Sequence, residues 1–128
     1  MRVRLDYGRK GLEAELPDAN LVAVLGLKRF PPITNLPAAV TEALANPIGP
    51  QPLSILARGR RNACIVVCDL TRPVPNAILL PPMLEALEQG GLRRDHVTIL
   101  IATGTHRPNL GDELDAILGP EIARSCRD

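Results

Sequence analysis

The sequence predicts an α/β fold: βαβ units with a mostly parallel sheet flanked by helices, Rossmann-like, preceded by an N-terminal β-hairpin, in a single domain of residues 1–128. Three observations carry this reading. The runs "ACIVVCD" (63–69) and "HVTILIATG" (96–104) lack polar alternation, as strands covered on both faces do. Between them "PNAILLPPMLEALEQGG" (75–91) has helical composition. A further helical stretch follows the second run, and strand, helix, strand, helix closes as a right-handed crossover with parallel strands.

The elements follow in order. "MRVRLDYG" and "GLEAELPD" alternate charged and apolar residues around a glycine-containing break, which predicts a hairpin with one covered face. "LVAVLGL" (21–27) is the place for one more strand. "KRFPPITNLP" then holds three prolines that exclude a helix or central strand. A helix starts near Pro37, carries Val40 and Leu44, and stops before Pro47. "NPIGPQP" is irregular, and "LSILARG" is a short helix. In the crossover helix, Pro81 and Pro82 must kink it or restart it as a second helix, and Gly90 and Gly91 end it. "LGDELDAILGPEIARSC" forms one or two helices split at Gly119-Pro120.

Composition narrows the function classes. Apolar residues make up 45%, yet there is one Phe, one Tyr and no Trp, so the core is aliphatic. A formal charge of +1 and the lack of aromatic platforms argue against nucleic acid. No continuous apolar segment has signal-peptide or membrane-span length, so the expectation is a cytoplasmic protein without a membrane partner. Cys64 and Cys68 lie on one strand face about 13 Å apart, too far for a disulfide. With Cys126 they are expected to be buried reduced thiols rather than metal ligands.

Both strands discharge into loops of similar composition: Asp69, Thr71, Arg72 and Pro73 after the first, and Thr103, Gly104, Thr105, His106, Arg107 and Pro108 after the second. Parallel strands send both loops from the same sheet edge, where open α/β sheets place ligands. Each proline stiffens the loop just after its arginine, and Gly104 permits a sharp turn or close ligand approach. His106 can exchange a proton near neutrality, an arginine fork fits a carboxylate or phosphate, and Asp69 can orient the imidazole, a ligand hydroxyl or the arginine. Together they describe a site for a small anionic, hydroxylated molecule. The plainer alternative makes Asp69 a helix cap paired with Arg72 and His106 a satisfied loop residue. His96, beside "RRD", is expected at the surface.

The segments "YG", "LPDANL", "PPI", "AVTEALANPIG", "PLSILA", "DLTRPVPN", "LLPPMLEALEQGG", "ILIATGTHRP" and "ELDAILG" resemble the N-terminal domain of the nickel-pincer-dependent lactate racemase family, and the resemblance covers nearly the whole chain. It implies a two-domain enzyme that takes a hydride from the α-carbon of a 2-hydroxy acid while a histidine removes the hydroxyl proton. The implied cofactor is the nickel-pincer nucleotide, nickel pyridinium-3,5-bisthiocarboxylic acid mononucleotide. By motif match His106 is an acid/base group, Arg72 holds substrate or cofactor, and Asp69 supports the cluster. Thr71, Gly104, Thr105 and Arg107 fall to cofactor binding, and no metal ligand is assigned. The second histidine, the tethering lysine and the nickel-ligating histidine of the family lie further along, in an absent C-terminal domain. Lys10 and Lys28 are the only lysines here, and neither sits in a matching motif. The chain alone is therefore expected to be inactive. The competing reading is a non-catalytic small-anion or nucleotide-binding α/β module, and a third is a remnant without a ligand.

Overall fold

The structure, a computed structural model, describes residues 1–8 and 10–125. The chain divides into two compact units, Met1–Pro32 and Ile33–Asp128. In the first, β1 (Arg2–Leu5) pairs antiparallel with β2 (Leu12–Glu15), in register from Arg2↔Glu15 to Leu5↔Leu12. The hairpin is there as predicted, but the covered face is not: Val3 and Ala14 are only half-buried, and Leu5 and Leu12 are each 50% exposed. The strand expected at 21–27 is absent: Val22, Leu25 and Leu27 are almost fully exposed and no ladder includes them. β-branched alternation makes a strand only where a neighbouring edge supplies hydrogen bonds, and none of the described residues does so.

The second unit begins with α1 (Leu36–Ala45), capped by Asn35, whose side-chain oxygen accepts from the Ala38 N–H at 3.1 Å. A single turn, α2 (Leu53–Leu56), leads to β3 (Ala63–Cys68). The crossover α3 (Asn76–Gln89) returns the chain to β4 (Val97–Ala102). β3 and β4 are directly adjacent and parallel, from Ala63↔Val97 to Cys68↔Ala102. α4 (Asp112–Leu118) and α5 (Pro120–Ser125) follow, split at Gly119 as expected. Cys126, at the end of that predicted stretch, lies outside the described residues. Ile65 and Val67 of β3 form one aliphatic core with Leu80, Leu84 and Leu87 of α3 and Ile117 of α4, with Ile99 and Ile101 packed against it.

Two expectations need correction. The sheet is covered on one face only: Cys64, Val66 and Cys68, opposite Thr98, Leu100 and Ala102, are exposed. The described helices contribute their buried leucines to the other face, where Ile65 and Val67 point. For the same reason Cys64 and Cys68 are exposed thiols rather than buried ones. Of the two outcomes expected at Pro81-Pro82, a kink or a restart, the restart does not occur. Two backbone hydrogen bonds are forfeited there, but Leu80, Pro82, Leu84 and Leu87 are all buried, and their packing carries the helix through. No helix among the described residues is long and apolar enough to cross a membrane.

Candidate active site

The site forms where β3 and β4 end. Strand alternation places Ile65, Val67 and then Asp69 on the buried side, so the first residue past β3 brings a carboxylate, 6% exposed, to the edge of the core. The chain then turns, with the Arg72 N–H bonding to the Asp69 carbonyl at 3.2 Å. Inside that turn Asp69 Oδ1 accepts from the Thr71 N–H (3.1 Å) and from its hydroxyl (2.6 Å). Pro73 and Pro75 sit at the centres of two successive three-residue turns, closed by bonds from Val74 N to the Arg72 carbonyl and from Asn76 N to the Val74 carbonyl, both 2.8 Å. They pass the chain straight into α3.

After β4, the His106 N–H bonds to the Thr103 carbonyl at 3.0 Å. Gly104, at φ +58°, occupies the first central position and Thr105 has negative φ, so the loop is a type II′ turn that needs glycine there. This turn swings His106 back over β3. Its Nδ1 lies 2.5 Å from Asp69 Oδ2. The Thr71 side chain first, and His106 second, hold the Asp69 carboxyl below its ordinary value against the opposing effect of burial. An ionised carboxylate only accepts, so Nδ1 carries the proton and Nε2 is the nitrogen left for a ligand. The imidazole is half-exposed, at 54%.

Two clefts meet at this pair. One, of about 280 Å³, is lined by Cys68, Arg72, Gly104 and Thr105 together with Asp69 and His106. The other, of about 370 Å³, adds Leu70, Arg107 and Asn109. Arg72 is exposed, and its guanidinium has no ion-pair or hydrogen-bond partner among the described residues. It does not pair with Asp69. Thr71 is turned to Asp69, and a Cβ added at Gly104 would meet nothing within 4 Å, which leaves the backbone there open to a ligand.

Arg107 is committed elsewhere. Its fork binds Glu113 through Nη1 to Oε2 (2.8 Å) and Nη2 to Oε1 (2.6 Å), and Asn109 Nδ2 adds a third bond to Oε2 (3.1 Å). The Arg107 guanidinium foremost, then Asn109, holds the Glu113 carboxyl down at about 2. Glu113 and Asn109 were missed in the sequence, where the only signal was an acidic first turn in the following helix. His96 is at the surface as expected, at the opposite end of β4, with Nδ1 3.0 Å from the Arg61 carbonyl. Among the described residues no group of three or more His, Cys, Asp or Glu is arranged to hold a metal ion.

The sequence matches the lactate racemase N-terminal domain family over residues 7–127. The chain belongs to that family. It is similar to the lactate racemase of Thermoanaerobacterium thermosaccharolyticum, 35% identical over 125 residues, and to that of Lactiplantibacillus plantarum, 34% identical over 125 residues. Each alignment covers 96% of this chain and 29% of the relative, so the chain spans under a third of the length of these lactate racemases. The solved structure of the T. thermosaccharolyticum lactate racemase apoprotein superposes with a TM-score of 0.72 at 35% identity, over 95% of this chain and 28% of that one. The lactate racemase N-terminal fold and the family membership thus agree.

Proposed function

We propose that the chain is the substrate-side portion of a lactate racemase-like isomerase acting on a 2-hydroxy acid, with His106 as one of its proton acid/base groups. The observation that carries this is the Asp69–His106 pair at 2.5 Å beside the unpaired Arg72. Asp69 fixes the ring so that Nε2 can take the hydroxyl proton of the substrate and later return it. Arg72 offers a free fork to the carboxylate. The open backbone at Gly104 and Thr105 suits the close approach of a nucleotide cofactor.

The α-hydrogen of a 2-hydroxy acid is too weakly acidic for a side-chain base, and the nickel-pincer nucleotide, when bound, supplies a hydride acceptor that no side chain offers. The residues here fit the proton-handling and anion-holding part of such a site, and the metal-holding part falls to the remainder of the enzyme. Removal of the hydroxyl proton by His106, together with loss of hydride from the α-carbon, converts the alcohol to a planar keto acid. Return of the hydride to the opposite face of the α-carbon, with a proton given back to the oxygen, inverts the centre.

The test is a fusion in which this chain replaces the matching segment of one of the curated lactate racemases. The fusion is expected to racemise lactate, and His106→Gln to lower the rate by about 10²–10⁴-fold. Equal activity of the two fusions overturns the assignment. The 128-residue chain supplied with cofactor is expected to give no racemisation, and turnover by it alone overturns the reading that it is one portion of the enzyme.

A further inference from the structure

We propose that Glu113 is the positioning residue of this site: from the first turn of α4 it grips Arg107 and Asn109, and so fixes the loop that seats His106 against Asp69. The inference rests on the reading of His106 as an acid/base group and assigns what holds it in place. On the β4 side the loop is anchored by the Thr103–His106 turn. On the far side Pro108 has no N–H to donate, so the backbone offers little hold there. Glu113 replaces it with three side-chain bonds that straddle Pro108, two from Arg107 and one from Asn109.

An exposed ion pair ordinarily holds little. This one differs in geometry: the two terminal guanidinium nitrogens each meet one carboxylate oxygen, and the Glu113 side chain is only 25% exposed, against 71% for Arg107. The Asn109 amide is turned so that Nδ2 reaches Glu113, while its Oδ1 is shut off from solvent without a donor. An unsatisfied buried acceptor opposes folding, so the bond to Glu113 sets that orientation against a standing penalty. Arg107 therefore acts through the loop rather than on a ligand, which leaves Arg72, unpaired among the described residues, as the guanidinium lining the smaller cleft.

The experiment is ¹⁵N NMR of the His106 imidazole in the 128-residue chain, comparing native protein with Glu113→Gln, with helix content followed by circular dichroism. The native ring is expected as the Nδ1–H tautomer with a downfield proton bonded to Asp69. In Glu113→Gln that proton is lost and the Nε2–H tautomer, which a solvated imidazole favours, becomes the major form while helix content is kept. A folded Glu113→Gln that retains the Nδ1–H tautomer overturns the proposal. Should Glu113→Gln unfold, Arg107→Ala combined with Asn109→Ala leaves α4 intact and is read in the same way, retention again overturning it. The tautomer is measured without turnover, so an inactive fusion counts against the proposed function and not against this role of Glu113.

Discussion

At the scale of single residues the site turns on one carboxylate. Asp69 is held below the ordinary value of 3.8, first by the Thr71 side chain and then by His106. A depressed folded value means that the charged form stabilises the native state fully above the ordinary value and loses that effect as pH falls through the lowered one. The stability advantage of native protein over Asp69→Asn is therefore expected to shrink as pH falls below the ordinary carboxylate range, as thermal unfolding at a series of acid pH values would reveal. Thr71→Val removes the largest contribution, and the carboxyl is expected to titrate higher, read from its ¹³C shift; an unchanged titration refutes the account. Glu113 obeys the same sign, its contribution fading between the ordinary 4.5 and about 2. Asp69, Arg72 and His106 were legible in the sequence because each is a polar residue placed just past an apolar run. The partnership of Arg107 with Glu113 was not, since it depends on where α4 begins, and the residues alone made Arg107 equally suited to a ligand.

At the scale of elements, the packing of α3 decides what the sequence conceals. Gly90, at its C-terminal end, has an ordinary negative φ, yet a Cβ there would lie 2.5 Å from the Ser54 carbonyl oxygen and 2.5 Å from Ala57 Cβ. Gly90→Ala is expected to destabilise the unit by about 1–3 kcal/mol, because backbone of the α2 segment must move, and denaturant unfolding would measure it. The sequence marked Gly90 as a helix stop and was silent on this contact. Its punctuation was otherwise informative: Pro37 in the first turn of α1 and Gly119 between α4 and α5 lie where local chemistry favours a boundary. It misled at 21–27, and of the kink or restart it offered at Pro81-Pro82 the restart does not occur; the deciding term in each place is a pairing partner or burial, neither of which is encoded locally.

At the scale of the whole molecule, the uncovered sheet face presents Val66, 62% exposed, beside Leu100, 52% exposed. The apolar run read as buried on both faces because Val66 and Leu100 are as apolar as Ile65 and Ile99, and composition does not say which face is covered. With a formal charge of only +1 there is little repulsion between copies, so the chain is expected to self-associate as concentration rises. Val66→Lys combined with Leu100→Lys should keep light scattering at the monomer value without loss of helix. The in-register pairing of Cys68 with Ala102 starts both loops at one level and puts Asp69 on the inward side. Chemistry mounted this way tolerates altered side chains far better than altered lengths. Excising a single residue from the middle of β3 would rotate the carboxylate outward by half a pleat cycle and part it from the imidazole, although every functional group remained in the polypeptide.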